Sequence, residues 1–403
     1  MKKPNRFFLI FLLLLAGALL PAGENRAPRV LNGIDVLREQ DFEALAGKRV
    51  GLITNHTGLS VDGTTTIELL FKSRVCRLAA LFSPEHGIGG SMDDRVGGSV
   101  DASTGLPVYS LYGETVRPTK EMLRGIDALV FDIQDVGARF YTYISTMAYS
   151  MEEAAKAGIP FYVLDRPNPV GGVRVEGPML DADKTSFVGY MPLPVRHGMT
   201  VGELALYFNT ENRIGAQLHV IPMKGWRRSY YFWDTGQLWV NPSPNMRHVA
   251  EAIFYPGVCL LEGTNVSLGR GTGRPFEVVG APWIGPLRFA AALQREGIAA
   301  VRFVPVSFTP EAGKNQGVRC GGASLLIADP ERLNSVLLGL TIISVLHRLY
   351  PEDFEIDGVL RLLGNAEAMK LLKAGVAPAE VLRRAEPELR KFLEKREGAL
   401  IYD

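Results

Sequence analysis

Four short apolar runs, each breaking off into a polar turn, constrain this chain more than any other feature. Residues 48–54 (KRVGLIT) end at Asn55-His56-Thr57-Gly58, and residues 78–82 (LAALF) at Ser83-Pro84-Glu85-His86-Gly87. Residues 126–133 (IDALVFDI) end at Gln134-Asp135-Val136-Gly137-Ala138-Arg139, and residues 159–164 (IPFYVL) at Asp165-Arg166-Pro167-Asn168-Pro169. Apolar runs this short, bounded by Gly, Pro and Asn, read as strands buried on both faces. Helical stretches lie between them, at residues 64–72 and at 143–157, the latter closed by Gly158, a residue suited to a left-handed cap. Alternating strand and helix predicts an α/β domain of right-handed βαβ units around a parallel sheet. All four polar loops then leave the sheet on one edge, where open α/β sheets hold their ligands. The expectation is one crevice ringed by Asn55, His56, Glu85, His86, Asp135, Arg139, Asp165, Arg166 and Asn168. The opposite strand ends show no such cluster.

At 403 residues the chain exceeds one small core, and two domains are expected. The catalytic domain is read as residues 24–276. A smaller C-terminal α/β (α+β) domain, 277–403, is read from an amphipathic helix near 287–296, strands near 301–308 and 324–328, and a long helix over 332–350. Ahead of both, Lys2, Lys3 and Arg6 precede an uncharged run, residues 7–20, and then Pro21-Ala22-Gly23. That pattern describes a secretory signal over residues 1–23, and the run is shorter than the ~20 residues of a membrane span. The protein is therefore expected to be exported, periplasmic or extracellular, with no stable membrane span once the signal is cleaved.

Composition removes several functions. With 44 basic and 43 acidic residues the net charge is +1, which supplies no basic surplus for a nucleic acid. Cys76, Cys259 and Cys320 are too few and scattered for a disulfide framework or a CxxC site. The six histidines form no HxH or HExxH pair, so no metal is assigned. The glycines after residue 86 lack GxGxxG spacing, there is no P-loop, and Ser83 lacks the GxSxG elbow, so no cofactor and no serine nucleophile are assigned. Paired carboxylates fit better. Glycoside hydrolysis needs a carboxylic acid at the leaving oxygen and a second group for the water or the developing cation. Glu85 follows a buried strand and a rigid proline, and Asp135, Asp165, Glu176 and Glu262 are its candidate partners. Glu203 fits a capping box with Thr200 and is read as structural. The aromatic residues between Trp226 and Trp239 suit either a sugar platform or a core.

These residues carry a resemblance. SPEHG, DIQDVGARFYTY, DRPNP, EGPML, RHGMTVGELA, NPSPNM and YPG…LEGTN…GRGT.RPFE, in this order over residues 50–282, resemble the family catalogued as DUF1343. Its characterised members are exo-β-N-acetylmuramidases of the NamZ type. The resemblance implies a Rossmann-like catalytic domain, a C-terminal auxiliary domain and a cleft between them. It implies release of N-acetylmuramic acid from non-reducing ends of peptidoglycan fragments, without metal or nucleotide, with Glu85 as general acid. Asp135 or Glu176 would assist the water or the cation. Among the motif residues, Tyr141, His197, Asn245, Glu262 and Asn265 join the loop residues as substrate contacts. Arg139, Arg166 and Arg270 would hold the lactyl carboxylate, since a guanidinium binds a carboxylate through two hydrogen bonds. One departure is Arg247-His248, where the pattern expects Pro-Thr. The alternative readings are a muropeptide-binding protein without turnover and a metal-dependent amide or ester hydrolase using the same cleft. Oligomeric state is not legible.

Overall fold

The computed structural model describes residues 30–90 and 98–403; the expected signal segment lies outside the described residues. The parallel core comprises β1 (Arg49–Thr54), β2 (Arg77–Ser83), β4 (Pro107–Ser110), β5 (Ala128–Asp132), β6 (Phe161–Leu164) and β9 (Leu218–Ile221), with the short antiparallel β3 (Ser99–Val100) at its edge. The spatial order is β3-β4-β2-β1-β5-β6-β9. The chain winds outward from β1 through β2 to β4, then returns to the other side of β1 at β5. That reversal is the switch point of a doubly wound fold. Every residue of β5 and β6 is buried, which explains why these strands read as unbroken apolar runs.

Helices α1 (Gly33–Glu39), α2 (Thr66–Lys72), α3 (Tyr143–Ala157) and α4 (Val201–Glu211) belong with this sheet. α3 closes at Gly158 with φ +68, as its sequence predicts. α4 starts in the expected capping box of Thr200 and Glu203. A two-stranded ribbon, β7 (Glu176–Met179) with β8 (Pro194–Arg196), was not legible. Its four-residue strand contains Gly177 at φ +92 and Pro178, which erase any period-two signal.

The C-terminal region holds an antiparallel sheet of β10 (Val278–Ala281), β12 (Cys320–Ile327) and β11 (Val301–Phe308). α6 (Pro286–Arg295) packs on this sheet and on α7 (Ser335–Leu349), and the region also holds α5 (Val249–Val258), α8 (Leu360–Leu363), α9 (Ala366–Lys373) and α10 (Pro378–Glu397). α5 hides in the sequence because Pro256 and Gly257 fall inside it. Its use of glycine is steric: a Cβ on Gly257 would stand 1.7 Å from the Ser335 carbonyl oxygen, and one on Gly339 would stand 2.2 Å from the Gly257 carbonyl oxygen. α5 and α7 therefore cross backbone to backbone. A second such contact joins Gly263 and Gly358, where a Cβ on either would meet the other's carbonyl oxygen at 2.2 and 2.0 Å. This contact sets the LEGTN turn against the segment leading into α8. Among the described residues no helix is long and apolar enough to cross a membrane.

Candidate functional site

Parallel pairing sends the loops after β2, β1, β5 and β6 out on the same sheet edge, as expected. They do not share one crevice. The segment 237–246 lies across the edge and separates two cavities. It is pinned by Trp239 Nε1 donating to the Met246 carbonyl (3.1 Å), by His56 Nε2 against the Asn241 carbonyl (2.6 Å) and by the Tyr143 hydroxyl donating to the Pro242 carbonyl (2.6 Å).

The first cavity, about 690 Å³, lies at the switch point between the loops of β1 and β5, against Phe232 and residues 237–240. It is the more apolar of the two and the poorer in chemistry. Its charged residues are already engaged: Arg166 with the buried Asp132, and Asp62 with Arg38 at 2.8 Å.

The second is a cleft of about 750 Å³. Glu85 and His86 form one wall, residues 140–143 the floor, and Tyr255, Cys259, Glu262, Arg270 and Phe276 the opposite wall, with Ser243 and Arg361 at its margins. Both sequence regions thus contribute side chains to it. Aromatic edges hold the floor to the far wall, with Tyr255 meeting Tyr141 at 5.7 Å and 89° and Phe276 at 4.8 Å and 90°.

Glu85 is placed by the backbone that follows β2. His86 and Gly87 both take positive φ, +71 and +74, the former a rare conformation for a residue with a side chain. The Thr142 hydroxyl donates to Glu85 Oε2 at 2.5 Å. Thr142 is the N-cap residue of the 15-residue helix α3, yet its side chain caps none of the helix's own amides, which leaves the hydroxyl to Glu85. The carboxyl is thus held at the N-terminus of α3. Nearby, burial lowers the His56 pKa, with the neighbouring His86 adding to it and the Asn241 carbonyl opposing. A carbonyl only accepts, so the His56 proton sits on Nε2. Gly90, at φ +66, makes room for that ring: a Cβ there would lie 2.0 Å from Nδ1.

Beneath the floor lies a sealed polar layer. Asp135 Oδ2 accepts from the Gly137 amide at 2.7 Å and faces His197 Nε2 at 3.6 Å, while His197 Nδ1 accepts the Met199 amide at 3.2 Å. Asn55 Oδ1 accepts from the Thr57 amide and hydroxyl. Among the described residues, Asp135 Oδ1, Asn55 Nδ2, His197 Nε2 and the Tyr141 hydroxyl are buried without a hydrogen-bond partner. Burial also pushes the Tyr141 and Tyr143 hydroxyls well above their usual range, with the charge of Asp135 contributing to both. The two tyrosines are therefore neutral hydrogen-bond donors at any working pH.

Several expected contacts require correction. Arg139 is buried under the β7–β8 ribbon, and its guanidinium donates to the carbonyls of Leu193 (2.8 Å), Leu362 (2.5 Å), Leu363 (2.9 Å) and Pro178 (3.4 Å). It ties the two regions together through these four carbonyls and lines neither cavity. Arg166 belongs to the Asp132 pair. Asp165 accepts from Tyr402, Thr200 and the amides of Arg166 and Gly202, so it anchors the start of α4 and the C-terminus. Asn168 braces its own loop and the Met199 carbonyl. Glu176 is buried against Arg196 (2.8 Å) and the Val336 amide (3.2 Å), behind the ribbon and at the start of α7. Asn265 ties its loop to Asp353 and Glu355, and Asn245 lines neither cavity. The aromatic run is also structural: Trp226 packs on Tyr402, and Trp233 stacks on Tyr231. Of the expected residues the cleft brings together Glu85, His86, Tyr141, Glu262 and Arg270. Thr142, Tyr143, Ser243, Tyr255 and Arg361 were missed, because nothing in their local sequence marks them as more than helix ends and packing. Among the described residues, no three of His, Cys, Asp or Glu converge on a metal position.

Comparison with known proteins gives a consistent picture. Residues 50–250 match the N-terminal model, and residues 253–402 the C-terminal model, of a family described as exo-β-N-acetylmuramidase NamZ. The peptidoglycan β-N-acetylmuramidase NamZ of Bacillus subtilis (strain 168) is 44% identical over 402 residues, covering 98% of this chain and 97% of that one. Two solved structures of DUF1343 family proteins from Bacteroides fragilis NCTC 9343 share the fold. One has a TM-score of 0.87 at 36% identity and the other 0.76 at 30%, each covering 93% of this chain and 99% of the other.

Proposed function

The chain belongs to the NamZ family of exo-β-N-acetylmuramidases and is a glycosidase, and from that premise we propose that it releases N-acetylmuramic acid from the non-reducing ends of peptidoglycan fragments, with Glu85 as the proton donor. The observation that supports Glu85 most directly is its hydrogen bond from Thr142 at the N-terminus of α3, inside the cleft that Glu262 and Arg270 also line. As the C1–O bond breaks, the Glu85 proton passes to the leaving oxygen and the carboxylate is left behind. A donor hydroxyl and a helix N-terminus stabilise that charge as it develops, which is where stabilisation lowers a barrier.

Of the partner carboxylates expected from sequence, only Glu262 lines the same cleft. Asp135 lies sealed beneath the tyrosines, and Glu176 is bound to Arg196 behind the ribbon. Glu262 is paired with Arg270 at 3.1 Å, so it presents an oriented carboxylate in the cleft that Glu85 also lines. We assign it the developing positive charge at C1 and the water that adds there, taking the place first given to Asp135 or Glu176.

The test uses two leaving groups. Glu85→Gln is expected to lower turnover of a MurNAc–GlcNAc disaccharide by at least ~100-fold, the ordinary worth of a positioned acid. Nitrophenolate needs little protonation, so the loss on nitrophenyl β-MurNAc should be markedly smaller. Activity with EDTA present is expected to match that without. Equal losses on both substrates, or a fully active variant, would remove Glu85 from the acid role.

A further inference from the structure

We propose that Arg361 is the specificity-determining residue of this cleft, a receptor for a carboxylate on the sugar in it; the identity of that carboxylate, the 3-O-lactyl group of muramic acid, rests on the functional reading above. Three observations carry the assignment. First, Arg361 lines the same cleft as Glu85 and Glu262 and is solvent-exposed there. Second, among the described residues its guanidinium has no hydrogen-bond or ion-pair partner, whereas the other cleft arginine, Arg270, is committed to Glu262. A guanidinium presents a planar fork of donors that matches a carboxylate, and one left unpaired at a cleft margin is available for an anionic ligand.

Third, the backbone beneath it is fixed. Arg361 sits in the four-residue α8, whose next two carbonyls, Leu362 and Leu363, are held by the buried Arg139. Three residues upstream, Gly358 is locked against Gly263, the residue after Glu262. The positions of Arg361 and Glu262 are thus coupled through one backbone contact. A long side chain on a rigid mount can bind an anion without also having to order its own loop.

Among common N-acetylated hexosamines of peptidoglycan, the lactyl ether supplies the carboxylate and N-acetylglucosamine lacks it. Arg361 accordingly selects between them by charge.

The experiment compares nitrophenyl β-MurNAc with its lactyl methyl ester, which keeps the shape and removes the charge. In the unmodified protein the free acid is preferred in kcat/KM. Arg361→Gln is expected to reduce that preference 10- to 100-fold, mostly through KM, Arg361→Lys less, and Arg361→Glu to invert it. Added salt should weaken the preference of the unmodified protein and leave that of Arg361→Gln flat. Calorimetric binding of free N-acetylmuramic acid and its methyl ester gives the same ratio without turnover. If the protein binds both but hydrolyses neither glycoside, the glycosidase mechanism falls while the binding ratio still judges Arg361. An acid-to-ester preference unchanged in Arg361→Gln, with an unchanged melting temperature, would overturn the proposal.

Discussion

At the scale of single residues, the site depends on what each polar atom already has. Arg139 and Arg361 are both arginines near α8, yet one donates to four carbonyls in the interior and the other, among the described residues, has no hydrogen-bond or ion-pair partner in the cleft. Burying a guanidinium without acceptors is prohibitive, and leaving buried carbonyls unpaired costs about 1–3 kcal/mol apiece. Arg139→Gln is therefore expected to destabilise the protein by about 3 kcal/mol or more, seen as a lower denaturant midpoint. A lactyl-binding role would instead raise KM at unchanged stability. Thr142→Val removes the Thr142 hydroxyl from Glu85 and is expected to lower kcat roughly tenfold, about the worth of one charge-assisted hydrogen bond, with little change in KM or melting temperature. A variant with full kcat would deny Thr142 its part in placing Glu85.

Elements explain why some sequence signals were readable and others not. β1, β2, β5 and β6 are short, apolar and buried on both faces, and their ends fell within two or three residues of the expected ones. α5 was hidden by Pro256 and Gly257, which serve a helix crossing instead of breaking a helix. Gly339→Ala would place a methyl 2.2 Å from the Gly257 carbonyl and is expected to separate α5 from α7, with a large loss of stability by circular dichroism. α5 also carries a titration. Burial raises Glu251 in its first turn to about 7, against the His248 and Arg247 amides that lower it. The same cause raises Asp165, which anchors α4, to about 7. For a carboxyl whose folded pKa exceeds its unfolded one, the folded state binds the extra proton between the two values. Stability is then fully present near pH 4 and is lost as pH rises toward 7, by at most about 1.4 kcal/mol per pH unit for each group. Urea midpoints of Glu251→Gln should show a shallower decline between pH 5 and 7 than those of the unmodified protein.

At the scale of the whole molecule, the cleft is a joint product of the sheet edge and the C-terminal region. The fold class, the edge from which the polar loops emerge and the conspicuous position of Glu85 were determined by sequence alone, because strand burial, turn residues and chain alternation are local signals. Which of the nine loop residues meet a ligand was not. The sheet edge is divided by the 237–246 segment, and Asp165, Arg166 and Asn168 fall on the side away from Glu85, committed to Thr200, Asp132 and Met199. A polar residue is free to act only if folding has not already supplied its partner. That partner can lie far along the chain, 224 residues for Arg139 and Leu363. Glu262 and Arg361 reach the cleft because Gly263 and Gly358 let two distant backbones touch, a contact invisible to any window of sequence. Local chemistry thus nominated the carboxylate, and long-range pairing decided which groups surround it.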